Sequence, residues 1–311
     1  MINKEKNFVS AVVYVHNGHN AVKPFLDKLC KTLEENFEHS EIICVNDCST
    51  DDSLNEIKSF CNDGNPVSIT ALNMSYFHGI ELSMNAGVDL SIGDFVFEFD
   101  SLDMDYDATE IMEVYRKALE GFDIVSLSPK KRKCLASRLF YSVFNHFAGF
   151  QQGLVSETLR ILSRRVINRI GSMSLSVPYR KALYANSGLK TSRLFYDPLP
   201  GARYSCDKQE GRYKRKLAMD SLRLFTDVGY KFSIYMAMIM MGVAITMLVY
   251  SVVVYLTSTP VEGWTTTILF LSFVFFGLFG VLTVIIKYLQ ILVDLIFKRK
   301  RYCFENIEKL T

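Results

Sequence analysis

The chain has 311 residues, of which 49% are hydrophobic and 22% are charged, and its formal net charge is +2. This composition is too apolar for a purely soluble protein and too charged for a polytopic transporter, so we expect a soluble domain joined to membrane segments. Seven cysteines without a CxxC pair provide neither a disulfide framework nor a zinc site.

Short β-branched or aromatic runs alternate with helical stretches from residue 8 to about 126. This alternation is typical of an α/β domain with a largely parallel sheet. The predicted strands are FVSAVVYVH, SEIICVND, VSITALN, DFVFEFD and FDIVSLS, and the predicted helices include AVKPFLDKLCKTLEENF and SLNEIKSFC. In such sheets, ligands bind at the carboxyl ends of the strands.

Three of the predicted strands end in polar residues, at His16–Gly18, Asn46–Asp51 and Asp100–Asp103. If these strands are neighbours, their ends converge on one cleft. Asp47 ends a buried strand, so we expect it to point into the cleft and accept hydrogen bonds from a base or ribose. The residues that follow it, Ser49 to Asp52, are explained well as the N-cap of the next helix.

The stretch EFDSLDMDYD, from Glu98 to Asp107, contains five acidic residues in ten positions. Carboxylates with this spacing fit either a divalent metal site or the acidic first turn of the predicted helix ATEIMEVYRKALEG. Residues 127 to about 212 are harder to assign. An aromatic helix is predicted at RLFYSVFNHFAGF, and a second helix around SETLRILSRRVINRI.

Two apolar segments, 232–256 and 264–286, are each long enough to cross a bilayer as a helix. Lys and Arg flank this hairpin on both outer sides and are missing from its connection TSTPVEG, which predicts cytoplasmic termini. The preceding segment 213–231 predicts an amphipathic helix at the headgroup layer, or one that packs on the soluble domain. The short apolar N-terminal stretch predicts a strand rather than a secretory signal.

The order of these features resembles family 2 glycosyltransferases of the GT-A fold. The first strand ends near Asn17, and the second ends in Asn-Asp-x-Ser-x-Asp. A helix with Ala86-Gly87 and a Gly93-Asp94 turn then precede the acidic strand end. The segment RILSRRV is similar to one in polyprenyl-phosphate glycosyltransferases, relatives of dolichyl-phosphate mannose synthase. GRYKRKL, IKYLQILVD and KRKRYCFE occupy the places of that branch's later motifs.

The resemblance implies an inverting, nonprocessive hexosyltransferase that moves a sugar from a nucleotide-sugar to a polyprenyl phosphate at the cytoplasmic face of a bacterial inner membrane. It implies a GT-A (Rossmann-like) domain with a mostly parallel sheet, an interfacial helix and two transmembrane helices. The predicted division is 1–212 for the cytoplasmic catalytic domain, 213–231 for the juxtamembrane helix, 232–286 for the hairpin, and 287–311 for a cytoplasmic interfacial helix and tail.

The resemblance also implies residue roles. The implied catalytic residues are Asp100, Asp103 and Arg160; the nucleotide-sugar ligands are Tyr14, Asn17, Asp47 and Asp100; and the acceptor-phosphate ligands are Arg160, Arg164, Arg212 and Lys214. Asp100 and Asp103 are the implied ligands of Mg²⁺ or Mn²⁺. The chain departs from the family pattern at Leu102, where the second metal carboxylate is expected, and at Thr158, where many relatives carry Asp.

The expected partners are a nucleotide-sugar, a polyprenyl-phosphate lipid and the membrane. The resemblance favours a homo-oligomer. No nucleic-acid recognition module accompanies the basic residues, so we expect no nucleic-acid partner. Two alternatives remain open: transfer to a hydroxyl of a lipid-linked glycan, and a catalytically degenerate membrane scaffold. The second is motivated by Leu102 and Thr158.

Overall fold

The computed structural model describes residues 4–62, 67–130, 157–173 and 179–199, the backbone of 304–309, and scattered positions between 235 and 292. The chain divides into two compact units. The first contains Met1–Met219 and Arg299–Thr311, and the second contains Asp220–Lys298. The first unit carries the α/β domain.

The described part of the first unit forms eight strands and six helices. In chain order they are β1 (Val9–Val15), α1 (His19–Asn36), β2 (Ser40–Asn46), α2 (Ser53–Asn62), β3 (Ser68–Met74), α3 (Ile80–Leu90), β4 (Phe95–Phe99), α4 (Thr109–Leu119), β5 (Ile124–Pro129), β6 (Leu159–Ser163), α5 (Arg164–Met173), α6 (Arg180–Asn186), β7 (Thr191–Tyr196) and β8 (Phe304–Lys309). All five strands predicted from the sequence are present.

The eight strands form one sheet in the order β7-β5-β6-β4-β1-β2-β3-β8. Strands β4, β1, β2 and β3 are parallel neighbours, and β5 pairs with β7 in parallel. Strand β6 runs antiparallel to β4 and β5, and β8 runs antiparallel to β3. The predicted α/β domain with a mostly parallel sheet is therefore confirmed.

Alternating side chains bury both faces of the sheet. In β1, Val13 belongs to the core shared with α1, α2 and α4, whereas Val12 and Tyr14 belong to the core under α3. Strands covered on both faces become nearly continuous apolar runs, which explains why their sequences lack a polar face. The same alternation places Glu98 on the α3 side of β4, between the apolar neighbours Phe97 and Phe99.

The prediction of one helix around SETLRILSRRVINRI is wrong. Leu159–Ser163 forms strand β6, and helix α5 begins only at Arg164. Leu159 and Ile161 pack in the core on one face of the sheet, and Leu162 packs on the other. The apolar spacing of the segment also fits a helix that runs on into α5, so the position of the run between β4 and β5 decides its conformation.

Strand β8 belongs to the predicted C-terminal tail, and the sequence gives no signal for it. Its backbone pairs with β3 from Thr70↔Lys309 to Met74↔Phe304. The end of the chain is therefore part of the same sheet as the N-terminal domain.

The predicted membrane segments 232–256 and 264–286 lie largely outside the described residues, and the positions that are described within them are helical. In the described part of the chain, we find no helix with the length and apolar character needed to cross a membrane. The predicted juxtamembrane helix 213–231 and the predicted aromatic helix at 138–150 also lie outside the described residues.

Gly87 allows α3 to lie directly on β1 and β2. A Cβ atom at this position would overlap Val12 and would lie 2.6 Å from Cγ2 of Val45. We expect Gly87→Ala to lower the free energy of unfolding by about 1–3 kcal/mol, although alanine is the better helix former. The measurement is the melting temperature of the full-length protein.

Gly171 in α5 provides the matched control, because a Cβ there would meet nothing within 4 Å. Gly171→Ala should leave the melting temperature unchanged or raise it, through helix propensity of up to about 1 kcal/mol. Equal melting temperatures for Gly87→Ala and the wild type would show that the contact between α3 and the sheet is not close-packed.

Candidate active site

The polar ends of β4, β1, β2 and β3 lie side by side at one edge of the sheet. Val15 pairs with Asn46, and Asn46 pairs in turn with Asn73. On the other side of β1, Phe99 pairs with Val13. The loops that follow these strands therefore open onto one cleft, as the sequence predicts and as is usual for ligand sites in parallel sheets.

The loops after β1 and β2 are tied together by hydrogen bonds. The amide of Asn17 donates to Oγ of Ser49 (3.1 Å), and the amide of Gly18 donates to Oγ of Ser53 (3.0 Å). The Asn17 side chain returns a bond, because its Oδ1 accepts from the Thr50 amide (2.8 Å). Asn17 has a φ of 48°, a left-handed conformation that asparagine tolerates. Contact between Asn17 and a nucleotide-sugar stays a prediction.

Asp47 lies beneath the cleft and not in it, contrary to the prediction. It is fully buried, and its carboxylate accepts hydrogen bonds from the Tyr14 hydroxyl (3.0 Å) and from the amides of His78 and Gly79 (both 2.8 Å). A buried carboxylate requires such donors. Asp47 therefore shapes the loop after β3, and Tyr14, also buried, supports Asp47 and is not open to a nucleoside.

Aromatic side chains line the cleft above Asp47. The rings of His16 and Phe77 lie 4.8 Å apart, and Tyr76 stacks on His78 at 3.9 Å. Tyr76 is 58% exposed. Nδ1 of His16 donates to the Asp47 carbonyl (2.8 Å), which holds the ring at the end of β1. Such a surface is suited to stack a heterocyclic base.

Asp100 is ionised and partly open at the end of β4. Its Oδ1 accepts a hydrogen bond from Nη2 of Arg180 (2.8 Å), its side chain is 18% exposed, and its Oδ2 accepts no hydrogen bond from a described residue. Burial alone would raise the pKa of Asp100, but the charges of Arg180 and Arg160 more than offset it and hold the pKa well below its usual range.

Asp100 is the outer member of a buried ionic cluster on the α3 side of the sheet. We define this cluster as Glu81, Glu98, Asp100, Glu157, Arg160 and Arg180. Glu98 is central. Its Oε2 accepts from Arg160, and its Oε1 accepts from Nη1 of Arg180 (2.6 Å) and from the Tyr184 hydroxyl (2.8 Å). Residues two apart share one face of a strand, so Glu98 and Asp100 enter the cluster together.

Arg160 is buried in this cluster, so the predicted contact with an acceptor phosphate is wrong for the conformation seen. It lies directly opposite Glu98 in the β4–β6 register. Its remaining donors bind Glu157, with Nη2 at 2.6 Å from Oε2, and its Cζ lies 4.9 Å from the centre of the Tyr184 ring. The opposite charge of the cross-strand neighbour explains this placement.

Arg164 lies at the other end of the sheet, and its predicted phosphate role is also wrong. Strand β6 runs away from the cleft, because Leu159 pairs with Phe99 and Ser163 pairs with Phe95. Five strand residues place Arg164 about 16 Å from the cleft edge. There its Nε donates to the carbonyl of Gly93 (2.9 Å). Arg212 and Lys214 lie outside the described residues.

The later acidic residues of EFDSLDMDYD have structural partners. Asp105 is buried and accepts a hydrogen bond from the Tyr196 hydroxyl (2.5 Å), which joins this loop to β7. Asp107 accepts hydrogen bonds from the amide (2.9 Å) and the hydroxyl (2.8 Å) of Thr109, the first residue of α4, and these bonds lower the pKa of Asp107. The helix-start interpretation therefore holds for Asp107.

Leu102 and Asp103 form the lip of the cleft after Asp100. Leu102 packs against the hydrophobic core and over the start of α1, where its Cδ1 lies 2.6 Å from the position of a Cβ on Gly18. Asp103 is half-buried, and its amide donates to Oγ of Ser101 (3.1 Å). An apolar anchor therefore stands where the resemblance expects a second carboxylate, and Asp103 is one residue further along.

These residues fit a divalent cation that takes few ligands from the protein. Within residues 4–62, 67–130, 157–173 and 179–199, no three His, Cys, Asp or Glu side chains converge as a metal cage. Mg²⁺ in phosphate-transfer sites commonly uses only one or two carboxylates, with phosphate and water oxygens completing the shell. The open oxygen of Asp100 could supply one such ligand, and Asp103 lies three residues further along the chain.

No motif in the sequence predicts a role for Glu81, Glu98, Arg180 and Tyr184. The one available signal was Glu98, a charged residue inside the apolar strand DFVFEFD, because such a charge is buried only when it is paired. Two of its partners are distant in the sequence: Arg160 lies 62 positions after Glu98, and Arg180 lies 82 positions after it. No local sequence pattern connects these residues.

A family model described as Glycosyl transferase family 2 matches residues 10–171, just over half of the chain. An uncharacterised glycosyltransferase of Synechocystis sp. is 26% identical over 198 residues, covering 62% of this chain and 61% of that protein. The undecaprenyl-phosphate 4-deoxy-4-formamido-L-arabinose transferase of Proteus mirabilis is 29% identical over 171 residues, covering 52% and 51%. The chain thus spans between half and two thirds of these relatives.

Among solved structures, the mannosyltransferase PcManGT of Pyrobaculum calidifontis has a TM-score of 0.51 at 14% identity, covering 70% of this chain and 62% of that one. This likeness concerns the fold. The chain therefore belongs to glycosyl transferase family 2, which confirms the predicted resemblance to that family.

Proposed function

We propose that this protein transfers a sugar from a nucleotide-sugar to a polyprenyl phosphate at the cytoplasmic face of a membrane. The observation that carries the proposal is the ionised carboxylate of Asp100, open on one oxygen, at the same sheet edge as the aromatic surface of His16, Tyr76 and Phe77. A base on the aromatic surface and a diphosphate near Asp100 would lie along one cleft.

Asp100, with Asp103 or a water, would hold Mg²⁺ or Mn²⁺ at the diphosphate. When bound, the cation would offset the negative charge of the departing nucleoside diphosphate. The mannosyltransferase with the similar fold was solved with GDP-Man and Mn²⁺. Without a cation, the charge of Asp100 would repel a diphosphate, so an ionised Asp100 at the cleft favours a metal-dependent donor site.

A phosphate acceptor accounts for the absence of an obvious general base at Thr158. A phosphate monoester, with a second pKa of about 6, is largely ionised at neutral pH and needs no deprotonation. Its oxygen would attack the anomeric carbon as the bond from that carbon to the diphosphate oxygen breaks. The Proteus mirabilis relative is named for transfer to undecaprenyl phosphate. Arg212 and Lys214 remain the proposed ligands of the acceptor phosphate.

The pairing of β8 with β3 supports the proposed membrane topology. Residues 304–309 and residues 4–199 contribute to one sheet, so the chain between them must cross a bilayer an even number of times. Two crossings, at 232–256 and 264–286, satisfy this condition and leave both termini on the side that carries the flanking Lys and Arg residues.

Membranes containing the protein should convert a labelled nucleotide-sugar into a chloroform-soluble lipid-linked sugar. Mild acid should release the sugar, because a glycosyl phosphodiester is far more acid-labile than an ordinary glycoside. An acid-stable product would instead support transfer to a hydroxyl. Membranes that form no lipid-linked product with any of a panel of nucleotide-sugars, including UDP- and GDP-linked donors, would contradict the proposal.

A further inference from the structure

We infer that Arg180 is a positioning residue for donor binding: its guanidinium holds the carboxylate of Asp100 in the orientation that leaves one oxygen open to the cleft. This inference rests on the proposed function, and it assigns a role to a residue that no motif of the sequence identifies. Arg180 is itself buried and cannot contact a substrate directly.

Arg180 joins three carboxylates from two elements of the fold. Its backbone amide and Nε donate to Oε2 of Glu81 on α3, at 2.9 and 3.0 Å. Its Nη1 donates to Glu98 on β4 (2.6 Å), and its Nη2 donates to Asp100 (2.8 Å). The planar guanidinium fork can meet three acceptors at once only in a fixed orientation. The bonds to Glu81 and Glu98 thus fix the direction of the bond to Asp100.

Asp100 is the member of this group that reaches solvent. The side chains of Glu81 and Glu98 are 6% and 0% exposed, compared with 18% for Asp100. Since Oδ1 of Asp100 is occupied by Arg180, its other oxygen is directed away from that bond. Partners that hold a metal-binding carboxylate in this way typically affect metal affinity by about 10- to 100-fold.

Arg160 shows that this role is specific to Arg180. Both arginines are buried to the same extent, and both pair with Glu98. The other carboxylate partner of Arg160 is Glu157, whereas those of Arg180 are Glu81 and Asp100. Tyr184, one turn after Arg180 in α6, also bonds Glu98 and makes no bond to Asp100. A general loss of the cluster and a specific loss of Asp100 orientation can therefore be separated.

The experiment compares Arg180→Lys and Arg180→Met with Arg160→Met and Tyr184→Phe in the full-length protein in detergent. For each variant, UDP and GDP affinities are measured by calorimetry with and without Mn²⁺, and melting temperatures are recorded. The readout is the ratio of the nucleotide affinities with and without Mn²⁺. Arg180→Lys keeps the buried positive charge and so keeps the test valid if Arg180→Met does not fold.

The affinity ratio should fall by about 10- to 100-fold in the Arg180 variants. In Tyr184→Phe the ratio should stay within about two- to threefold of the wild type. In Arg160→Met, which removes a positive charge near Asp100 but not its hydrogen bond to Arg180, the ratio should not fall, although the melting temperature does. An unchanged ratio in Arg180→Lys, or an equal fall in Arg160→Met, would overturn the inference. Wild-type protein that binds neither nucleotide would contradict the proposed function itself, and with it the basis of the inference.

Discussion

Asp100→Asn should lower kcat/KM for sugar transfer by at least about 100-fold, which corresponds to about 2.7 kcal/mol of transition-state stabilisation. Asparagine has nearly the same shape as aspartate and can still accept the bond from Arg180 through its carbonyl oxygen. It lacks the charge that would hold a divalent cation at the diphosphate. The measurement is the initial rate of lipid-linked sugar formation across a range of Mn²⁺ concentrations.

Asp107→Asn is the matched control, since Asp107 belongs to the same acidic stretch but binds the amide and hydroxyl of Thr109 at the start of α4. It should retain wild-type activity and lose at most about 1 kcal/mol of stability. Asp103→Asn should lie between the two if Asp103 contributes a second ligand. Full activity in Asp100→Asn would remove Asp100 from the donor site.

Glu98→Gln should lower the free energy of unfolding by about 3–5 kcal/mol, because breaking a buried ion pair leaves uncompensated charge. Glu98 faces two buried guanidinium groups, those of Arg160 and Arg180. Burial would lower the pKa values of both arginines, but neighbouring carboxylates raise them well above their ordinary value, so both stay charged. The change should appear as a fall in melting temperature of about 2–4 °C per kcal/mol.

A surface pair provides the comparison for Glu98. Oε2 of Glu120 lies 2.6 Å from Nζ of Lys117 in an exposed i,i+3 pair at the end of α4. Glu120→Gln should cost no more than about 0.5 kcal/mol, as expected for a solvent-screened pair. If Glu98→Gln melts at the same temperature as Glu120→Gln, the buried ionic cluster does not stabilise the domain.

The parallel part of the sheet could be predicted because each of its strands has a recognisable pattern within a short stretch of sequence. Each of the first five strands is a β-branched or aromatic run bounded by polar residues, and the helices between them have clear amphipathic patterns. Strand β6 could not be predicted in this way, because Leu159, Leu162 and Val166 have the i, i+3, i+7 spacing of a helix that runs on into α5. Strand β8 depends on a pairing with β3 that joins residues 230 or more positions apart, which no local pattern reveals.

The position of the candidate site could be predicted from the sequence, but the roles of several of its residues could not. The polar strand ends identify the cleft, and Asp100 lies there as expected. Asp47 and Arg160 have the residue types that suit ligand binding, but each is buried among the hydrogen-bond partners that a buried charge requires. Whether a charged residue faces a ligand or a neighbouring strand depends on register, and register between distant segments is set by the whole fold.

Thermal stabilisation of the full-length protein by a panel of nucleotide-sugars, with and without Mn²⁺, would test the proposed donor site. A ligand at about 100 times its dissociation constant stabilises the folded state by about 2.7 kcal/mol. We predict that at least one nucleotide-sugar raises the melting temperature, that the increase requires the divalent cation, and that Asp100→Asn abolishes it. No stabilisation by any nucleotide-sugar, or equal stabilisation of Asp100→Asn, would contradict the account.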